Sequence, residues 1–374
     1  MRIALHADGR TIRGNENQLL LAARGLIERG HELHVSTVPG SPTERAFREL
    51  GATTTGARPR GDADPLAAAR FYCWLRRLRP DAVLLTSWKR AALSAALARA
   101  ARVPRVVIRI GGEHHGRGTA GDQLRRRALR RWVDAVFVNC EPVRDSLLAY
   151  APGLAAERVH VIPSAVPPFD GANVDLRAEL ALHPDSPLLF SAGGLEHRKG
   201  YHVLLPALAA LPHAAVHLAV AGDGPARAAL LAQAAALGIA DRVHLLGARS
   251  DVRGILPAVD AFVLPSRSDS VPIAALEAAA AGLPIVSTAV PGMAEVLAPR
   301  VDAPAAGWIV PVGDVAALAA ALGEALLPAA RDRGAEARRR ADREHSPEQL
   351  VARLESLLAG PAQRRAASAA ASVG

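Results

Sequence analysis

Two carboxylates could do chemistry in the segment SRSDSVPIAALEAAAAGLP, residues 266–284. Asp269 precedes a helix predicted over about Pro272–Ala281, which Ser270 would cap, and Glu277 lies inside that helix among alanines. The helix face that carries Glu277 is expected to be buried, and a buried carboxylate without a partner is costly. Either a ribose diol or a neighbouring Arg would satisfy Glu277, whereas the dipole of the helix N-terminus alone would favour Asp269.

Two glycine-containing loops of the second half have the composition of phosphate-binding turns. The loop SAGGLEHRKG ends in Arg198, Lys199 and a glycine, and a turn that leads into a helix can present backbone N–H groups and cations to a phosphate. A second loop, AGDGPARAAL, contributes Gly222, Asp223 and Gly224. An ordinary strand-to-helix turn with surface charges explains the first loop as well, and a tight turn with Asp223 capping a helix from Pro225 explains the second.

In the first half, two loops that follow predicted strands could contact a ligand. GNENQ covers residues 14–18, between the first strand and the first helix, and IRIGGEHHGRG covers residues 108–118. The two glycines of the second loop allow close approach, so that His114 or His115 could hydrogen-bond a phosphate or a hydroxyl. The acid pair in DAD, residues 62–64, has no second cluster, and no group of His, Cys and Asp has the spacing of metal ligands. We therefore expect no metal site.

Alternating elements position these loops. Short apolar runs such as RIALHA, DAVLLTS, PLLFSAG and AFVLPS alternate with segments of helical length that are rich in Ala, Leu and Arg. Continuous apolar strands separated by helices indicate parallel sheets covered on both faces, and the series starts twice along the chain. The sequence therefore predicts an α/β protein with two doubly wound, Rossmann-like domains. Ligands of such sheets bind beyond the carboxyl ends of the strands, so that we expect the site in a cleft between the two domains.

The predicted domain boundary lies in the Pro- and Gly-rich stretch IPSAVPPFDGANVD. Residues 1–167 form the N-terminal domain of this scheme, and residues 168–345 form the C-terminal domain. Residues 346–360 are predicted to form a helix that packs back towards the N-terminal domain. The small and polar residues of 361–374 predict a disordered tail.

The positive charge is concentrated in one half of the chain. Of the 374 residues, the first 167 contain 27 Lys and Arg against 15 Asp and Glu, whereas the remainder contains 18 against 21. A basic half beside a nearly neutral one predicts an anionic partner for the basic half. No apolar run reaches the ~18 residues of a membrane-spanning helix, and the N-terminus lacks the pattern of a signal peptide. The two cysteines have no metal or redox spacing and suit a reducing cytoplasm.

Taken together, the loops resemble those of a known enzyme family. Their order along the chain is GNENQ, ERGHELHV, the histidine loop, VNCEPVRDSL, VHVIPSAV, SAGGLEHRKGYHVLLPAL, LAVAGDGP, RVHLLG and LPSRSDSVPIAALEAAAAGLPIVSTAVPGMAEV. This order resembles the retaining GT-B glycosyltransferases of family 4 over about residues 2–358, and the acid-x7-acid segment is its specific part. The resemblance implies two Rossmann-like domains that face each other across a cleft. It also implies transfer of a sugar from a nucleoside diphosphate to an acceptor hydroxyl.

The resemblance implies roles for individual residues. Glu277 matches the acid that hydrogen-bonds the nucleotide ribose, Asp269 the acid beside the donor sugar, and Lys199 the lysine on the diphosphate. With a histidine of the cleft, the implied catalytic set is His114, His115, Lys199 and Asp269. The implied donor-binding set is Gly14, Asn15, Gly194, Arg198, Lys199, Gly222, Asp223, Gly224, Ser270, Val271, Pro272 and Glu277. The implied acceptor-binding set is Glu16, Arg109 and Glu113.

Two positions depart from the family pattern. The family often has Arg in a G-R-L motif after the first strand of the second domain, where this chain has Gly193-Gly194-Leu195, and Arg198 would have to replace that cation. The first acid of the family is usually Glu, and Asp269 is one methylene shorter. The implied reaction retains the anomeric configuration and needs neither a metal nor a cofactor besides the nucleotide-sugar substrate.

The basic first half, together with the resemblance, implies an acceptor on a lipid carrier at the inner membrane face, in cell-envelope or surface-polysaccharide synthesis. DQLRRRALRRWVDAV, residues 122–136, is the expected contact with anionic lipid, and a solvated arginine face is the alternative. We expect a cytoplasmic protein without a nucleic-acid partner, because no recognition motif is present. A nucleotide-sugar epimerase on the same fold and a non-catalytic nucleotide-sugar-binding protein are the competing functions.

Overall fold

The computed structural model describes residues 1–7, 9, 11–56, 64–113, 116, 118–169, 171, 173–212 and 215–371, with side chains as far as residue 360. The chain divides into two compact units. Unit 1 comprises Met1–Ser164 together with Pro347–Gly374, and unit 2 comprises Ala165–Ser346. Within the described ranges, every helix is too short or too polar to cross a bilayer.

The described part of unit 1 contains a sheet of seven parallel strands. The strands are β1 (Arg2–His6), β2 (Glu32–Thr37), β3 (Thr53–Gly56), β4 (Ala82–Leu85), β5 (Arg105–Ile110), β6 (Ala135–Val138) and β7 (Val159–Val161). Their order in the sheet is β3-β2-β1-β4-β5-β6-β7. In the register, Leu5 of β1 lies beside Val35 of β2 on one side and Leu84 of β4 on the other. Every residue of β4 and β6 is buried, which explains why these strands are continuous apolar runs in the sequence.

Helices connect the strands of unit 1 as the alternating pattern predicts. They are α1 (Gly14–Glu28), α2 (Pro42–Glu49), α3 (Pro65–Leu78), α4 (Ala91–Ala100), α5 (Ala120–Arg131) and α6 (Glu141–Tyr150). A short 3-10 helix, Ala156–Arg158, precedes β7. Ser41, Asp64 and Thr119 cap α2, α3 and α5 with side-chain oxygens that accept backbone N–H groups, so that local sequence fixes where these helices begin.

The sequence patterns do not indicate β3. Its residues, TTTG, contain no large apolar side chain, and they are half-buried or exposed. β3 lies at the edge of the sheet and pairs only with β2 among the described strands. An edge strand needs no apolar run, because one of its sides is not covered by the sheet.

The described part of unit 2 contains a six-stranded parallel sheet of the same plan. The strands are β8 (Leu188–Ala192), β9 (His217–Ala221), β10 (Val243–Gly247), β11 (Ala261–Leu264), β12 (Ile285–Thr288) and β13 (Trp308–Val310), in the order β10-β9-β8-β11-β12-β13. The helices are α7 (Leu176–Glu179), α8 (Tyr201–Ala209), α9 (Arg227–Ala236), α10 (Val252–Ile255), α11 (Ile273–Ala280), α12 (Met293–Leu297), α13 (Val315–Ala325) and α14 (Ala330–Glu344). Both units are therefore doubly wound and Rossmann-like.

The last helix, α15 (Pro347–Ala371), belongs to unit 1 although it follows unit 2 in the chain. It buries Leu350, Val351, Leu354, Leu357 and Leu358. A Cβ atom on Gly25 of α1 would overlap Val351, so that glycine allows the two helices to approach closely. Gly360 interrupts the helix with a φ of 69°. The backbone of 361–371 is helical where the sequence predicts disorder, and its alanines favour that conformation.

Candidate functional site

The two loops with the predicted donor residues meet at the switch point of the unit 2 sheet. β8 lies between β9 and β11, so that the chain adds strands on one side of β8 and then on the other. Ligands of open sheets bind at the carboxyl edge where the strand order reverses in this way. The loop after β8 (193–200) and the loop after β11 (265–272) are joined there, because the Arg267 N–H donates to the Arg198 carbonyl oxygen at 2.7 Å.

Lys199 and Asp269, the two predicted catalytic residues of unit 2, form an ion pair with Nζ 2.5 Å from Oδ2. Only 13% of the Lys199 side chain and 18% of the Asp269 side chain are exposed. A charge-assisted hydrogen bond shielded from water in this way is stronger than a surface ion pair. One cation and one anion, each from a different loop, therefore lie together at the switch point.

Gly200 fixes the position of Lys199. A 3-10 turn, His197–Lys199, ends at Gly200, whose φ of +74° lies in the left-handed region that favours glycine. A Cβ atom at this position would overlap the Pro265 carbonyl oxygen. Both the backbone angle and the lack of space exclude a side chain here, so that the lysine is held by a turn which only glycine can close.

Tyr201, the first residue of α8, is a site residue that the sequence reasoning missed. Its hydroxyl accepts a hydrogen bond from Ser191 Oγ and donates one to the Gly193 carbonyl oxygen, each at 3.4 Å. Burial raises the pKa of Tyr201 to about 12, and the negative charge of Asp269 acts in the same direction. The phenol therefore stays protonated at neutral pH and ties α8 to the loop. Its place directly after the Arg-Lys-Gly turn is the signal that could have found it.

The two glycine loops run side by side at the carboxyl edge of β8 and β9. The Gly193 N–H donates to the Ala221 carbonyl oxygen at 2.9 Å, and the Leu195 N–H donates to the Asp223 carbonyl oxygen at 3.0 Å. A Cβ atom on Gly222 would overlap the Gly193 carbonyl oxygen. Glycine is thus required for the close approach of two backbones, which brings the predicted residues 193–195 and 222–224 together.

Asp223 does not cap a helix. The helix after this loop, α9, begins at Arg227 rather than at Pro225, and it has no side-chain cap. The Asp223 carboxylate instead accepts a hydrogen bond from the Gly224 N–H at 2.8 Å, and the residue is exposed. The tight-turn interpretation of this loop is correct, whereas its helix-capping part is wrong.

Arg198 is exposed and pairs with Glu196, with Nε 2.8 Å from Oε2. A Cβ atom on Gly194 would lie 3.2 Å from Oε1 of the same Glu196 carboxylate. A side chain at position 194 would therefore point towards the carboxylate that Arg198 contacts. Position 194, where the family often has Arg, and the Arg198 side chain therefore face the same carboxylate.

The segment between Asp269 and α11 differs in detail from the prediction. The helix begins at Ile273, Pro272 is its N-cap residue, and no side chain caps it, so that the predicted cap by Ser270 is wrong. Pro272 has no N–H and cannot donate to a ligand. The first N–H groups of a helix have no acceptor within it, and here they belong to Ile273 and the residues that follow. Val271 is buried.

Glu277 lies half-buried on α11. Burial raises the pKa of the Glu277 carboxyl, and the nearby charge of Arg253 opposes this shift without cancelling it. Arg253 itself donates to the carbonyl oxygens of Pro167 and Pro168, at 3.2 and 2.7 Å. No residue in the described ranges hydrogen-bonds or pairs with the Glu277 carboxylate. The structure therefore shows no salt bridge between Glu277 and a neighbouring Arg, which was one of its two predicted partners. Both carboxylate oxygens could accept hydrogen bonds from a ligand.

The helix face around Glu277 is less buried than the sequence predicts. Ile273, Ala274 and Ala281 are half-buried like Glu277, and Ala280 alone of this predicted face is buried. The opposite face, with Leu276 and its neighbouring alanines, packs into the unit. The acid therefore lies at the border of the core, where a bound molecule could reach it.

In unit 1, the structure brings together three predicted residues. α1 begins at Gly14, and Glu16 Oε2 accepts a hydrogen bond from the Arg13 N–H at 3.2 Å. Arg109, on β5, donates from Nη1 to Asn15 Oδ1 at 3.2 Å. Burial lowers the pKa of Arg109 to about 10, and the charge of Glu16 acts in the opposite direction. The guanidinium therefore stays charged at neutral pH, bound to Asn15 and near the charge of Glu16.

The other predicted residues of unit 1 add less. Glu113 is exposed, and in the described structure it forms no hydrogen bond or ion pair with Asn15, Glu16 or Arg109. His114 and His115 lie outside the described residues. The same ranges contain no group of three or more His, Cys, Asp or Glu that could hold a metal ion.

The fold, the switch point and the glycine loops are those of a doubly wound α/β protein that binds a ligand at the carboxyl edge of its sheet. Comparison with known proteins identifies two domains: residues 13–165 match the glycosyl transferase 4-like domain, and residues 174–341 match the glycosyl transferases group 1 domain. The chain therefore belongs to the glycosyltransferase family with these two domains. The resemblance to glycosyltransferases noted from the sequence motifs is confirmed, and so is the fold class of two Rossmann-like domains of the GT-B type, whereas the retaining mechanism stays a prediction.

Individual relatives match parts of the chain. The lipopolysaccharide core biosynthesis glycosyltransferase LpsE of Rhizobium meliloti is 41% identical over 112 residues, 30% of this chain and 32% of that protein. Glycogen synthase of Mycobacterium tuberculosis is 31% identical over 289 residues, 71% of this chain and 64% of that protein. In both, the match spans less than two thirds of the relative's own length.

Solved structures share the whole fold at low identity. The crystal structure of Anabaena HepE in complex with UDP has a TM-score of 0.83 and is 18% identical, with 95% of this chain and 98% of that chain covered. At this identity the likeness shows the fold alone.

Proposed function

We propose that this chain transfers a sugar from a nucleoside-diphosphate donor to an acceptor hydroxyl during synthesis of a lipopolysaccharide or another polysaccharide. The observation that carries the proposal is the switch point of unit 2, where Lys199, Asp269 and the unpaired carboxylate of Glu277 lie on adjoining segments. The names of LpsE and glycogen synthase support this class of reaction. The structures of HepE with UDP and with UDP-glucose make UDP the first nucleotide to test.

Glu277 would bind the nucleotide ribose. A half-buried carboxylate without a donor loses hydrogen bonds to water and gains none from the protein. The two hydroxyls of a ribose would each donate to one carboxylate oxygen and offset that loss. Arg253 does not compete for the acid, because its guanidinium is bound to the Pro167 and Pro168 carbonyl oxygens.

Lys199 and Arg198 would bind the diphosphate. Lys199 would exchange its bond to Asp269 for a phosphate oxygen, and Arg198 would turn from Glu196 to the second phosphate. The arrangement of Glu196 between Arg198 and position 194 supports Arg198 as the substitute for the family arginine. Gly194, Gly222 and Gly224 carry no side chains, so that the nucleotide could approach the backbone of both loops closely.

The reaction would break the bond between the anomeric carbon and the phosphate oxygen. Cations on the diphosphate stabilise the negative charge that develops on the leaving group, and the sugar carbon becomes oxocarbenium-like. In the proposed retaining mechanism, the acceptor hydroxyl attacks from the face that the phosphate leaves, and its proton passes to a phosphate oxygen. Asp269 would orient the donor sugar, and His114 or His115 would contact it from unit 1. Two protein cations serve the leaving group, so that the proposed reaction is independent of metal ions.

The acceptor would bind on unit 1, where Arg109 is held by Asn15 and lies near the charge of Glu16. Glu113 completes the proposed acceptor set. An acceptor on a lipid carrier would bring the protein, proposed to be cytoplasmic, to the inner face of the membrane.

α5 is the proposed contact with anionic lipid, although much of its charge is engaged within unit 1. Arg125 pairs with Asp122 at 2.7 Å, and Arg126 lies over the ring of Tyr150. The exposed residues on the same helix include Leu124, Arg127 and Arg131. Each basic residue near an anionic surface contributes about 1 kcal/mol. Replacing Arg127 and Arg131 with Gln should therefore weaken cosedimentation with anionic vesicles at least tenfold, and unchanged binding would support the solvated-face alternative.

Thermal-shift measurements with UDP, GDP, ADP and dTDP test the donor site. A ligand that binds only the folded state raises stability by RT ln(1 + [L]/Kd), about 2.7 kcal/mol at a ligand concentration 100 times Kd. We expect one nucleotide to raise the Tm of the wild type and to lose this effect in Glu277→Ala. Asp332→Ala is the matched control, because Asp332 is an exposed carboxylate of unit 2, and it should keep the shift. No shift with any nucleotide at millimolar concentration would overturn the donor site.

Product analysis separates the proposed transferase from the two competing functions. A transferase consumes the donor sugar only with an acceptor or water, and the anomeric proton coupling of the product reports retention. An epimerase would convert the donor without any acceptor, and a binding protein would show the thermal shift without a product. Turnover that survives chelation by EDTA supports the metal-independent reaction, whereas turnover restored only by a divalent cation contradicts it.

A further inference from the structure

Two histidines of unit 2 stack on each other beside Lys199. His197 begins the 3-10 turn that carries the lysine, and His202 is the second residue of α8. Their ring centroids lie 4.3 Å apart, and the ring planes are inclined by only 14°. Residues 198–201 lie between the two histidines in the chain. The stack therefore joins the start of the turn to the helix that follows it.

The two rings depend on each other for their position. Neither imidazole forms a hydrogen bond or an ion pair with any residue in the described ranges. The backbone of His202 is fixed independently, because Gln233 Nε2 of α9 donates to its carbonyl oxygen at 2.9 Å. His197 is exposed, whereas His202 is half-buried. α8 thus provides a fixed support, and the ring of His197 packs on it from the turn.

The stack lies among positive charges. His202 is acted on by the charge of His197 and by that of Arg267, an exposed residue of the loop after β11. The carboxylates of the two loops are engaged elsewhere, since Glu196 and Asp269 each bind a cation of the turn. A proton added to the stack therefore meets positive neighbours and no free carboxylate of either loop.

Two helices of the described structure pack closely against α8, and they supply no counter-charge. These are α9 and α13, and each has one charged residue, Arg227 and Glu324 respectively. Arg227 donates to a backbone carbonyl oxygen of β10, and Glu324 accepts a hydrogen bond from the indole of β13. Both charged groups are thus bound to partners other than the histidine stack.

This environment makes the stack sensitive to acid. Burial lowers the pKa of His202, and the charges of His197 and Arg267 act in the same direction. A histidine whose pKa is lowered by folding stabilises the folded arrangement fully above its unfolded pKa, about 6.5, and loses that stabilisation as the pH falls. Two neutral rings attract each other, whereas two charged rings repel. The stack should therefore be closed at neutral pH and open in acid.

We propose that His202 positions the donor-binding turn through its stack with His197, and that acid opens this stack and weakens binding of the nucleotide sugar. This inference rests on the proposed glycosyltransferase function and adds a pH-sensitive control to it. Arg198 and Lys199 directly follow His197, so that a turn released from His202 no longer holds the two cations in place for the diphosphate.

Binding of UDP-glucose, measured by isothermal titration calorimetry at about pH 7.5 and about pH 5.5, tests the proposal across the range in which histidine titrates. A nucleotide sugar is a better probe than UDP, because a terminal phosphate itself titrates near about pH 6. Both phosphates of UDP-glucose are esterified and keep one charge each. ADP-glucose, GDP-glucose and dTDP-glucose are measured in the same way if UDP-glucose does not bind.

His202→Phe and His202→Ala separate the ring from its charge. Phenylalanine keeps a flat ring against His197 but cannot be protonated, so that the Kd at about pH 7.5 should stay within about twofold of the wild type. Alanine removes the stack, and the Kd at that pH should rise roughly two- to tenfold, the change in an equilibrium that one aromatic pair typically causes. In acid, the Kd of the wild type should rise by a similar factor more than that of His202→Phe.

His244→Phe is the matched control. His244 of β10 and His217 of β9 also stack, with ring centroids 5.3 Å apart, and burial lowers the pKa of each. His217 is the first residue of β9, at the opposite end of the strand from the donor loops. His244→Phe should therefore keep the pH response of the wild type. Protonation of Glu277 also weakens donor binding in acid, and that part should persist in all three variants.

The outcomes separate this inference from the proposed function. An equal loss of affinity in acid for the wild type and His202→Phe overturns the inference, and so does an unchanged Kd of His202→Ala at neutral pH. Loss of the pH response in His244→Phe overturns it as well, because the position of the stack would then be irrelevant. If a nucleotide sugar binds regardless of His202, the donor site stands and only the inference fails. If none of the four binds the wild type at either pH, the proposed donor site fails too.

Discussion

Removing the charge of Lys199 should separate its catalytic from its structural role. The Nζ–Oδ2 distance of 2.5 Å and the low exposure of both side chains mean that Lys199→Met leaves the Asp269 carboxylate without its partner. Loss of a charged, shielded hydrogen bond costs about 1.5–3 kcal/mol of folding free energy. Loss of a group that stabilises charge in the transition state lowers kcat about 10²–10³-fold. Lys199→Met should show both effects.

The double variant Lys199→Met/Asp269→Asn distinguishes the two contributions. Because it removes both charges, its loss of stability should be smaller than the sum of the single variants, by an interaction energy of about 0.5–3 kcal/mol. Its kcat should stay as low as that of Lys199→Met, since the cation on the leaving group is still missing. Urea unfolding followed by circular dichroism gives the stabilities, and release of the nucleoside diphosphate gives kcat.

Lys89→Met is the matched control, because the second lysine of the chain is exposed and lies in unit 1. It should change neither stability nor kcat. A kcat of Lys199→Met within threefold of the wild type would contradict a role of Lys199 in catalysis. Recovery of turnover together with stability in the double variant would also contradict it, because the lysine would then be a purely structural partner of Asp269.

Three further predictions test other parts of the structure. Burial raises the pKa of Glu277, so that the folded state binds a proton more tightly than the unfolded state, and the stability of the wild type falls as pH rises through that pKa. Glu277→Gln should remove this pH dependence of unfolding, raise the Tm at pH 7 and weaken nucleotide binding at least tenfold. An unchanged pH dependence in the variant would contradict the raised pKa. Gly200→Ala should abolish nucleotide binding and destabilise unit 2 by more than the control Gly238→Ala, which should cost ~1–2 kcal/mol. Both positions have a positive φ, but only position 200 lacks space for a Cβ atom. Equal melting curves of the two variants would refute this prediction. Asn15→Ala removes the oxygen that the Arg109 guanidinium binds and should raise the KM for the sugar acceptor several-fold. Because the sequence resemblance places Asn15 in the donor-binding set, the variant should also weaken the UDP thermal shift, and an unchanged shift would contradict that donor role.

Most strands of the fold were predictable from apolar runs in the sequence, and β3 is the strand that was not. The apolar runs of the sequence correspond to strands in both sheets, because strands such as β4 and β6 are buried throughout. β3, by contrast, consists of threonines and a glycine at a sheet edge, and its pairing depends on β2 rather than on its own burial. Parallel edge strands of this kind leave no apolar pattern for the sequence to reveal.

The site was predictable where local geometry dictates residue type and not where distant segments meet. Position 222 has no space for a side chain because the Gly193 backbone lies against it, so that the glycine itself indicates this close approach in the sequence. The ion pair between Lys199 and Asp269 joins residues 70 positions apart, and its formation depends on the switch point of the sheet. The predicted cap by Ser270 fails because the helix begins at Ile273, which makes Pro272 its N-cap residue.

The position of α15 has a consequence for how the chain is made. Unit 2 is one continuous stretch, and a hydrogen bond from the Val166 N–H to the His345 carbonyl oxygen, 2.9 Å long, joins its two ends. Unit 1 begins first on the ribosome but is completed last, because its final helix is encoded after all of unit 2. Until α15 has emerged, the surface of α1 around Gly25 and the Arg105 side chain lack the helix that covers them. Unit 1 therefore remains incomplete, with part of its apolar surface uncovered, while all residues of unit 2 are synthesised. A nascent chain stalled before residue 347 would contain every residue of unit 2 but lack the last helix of unit 1.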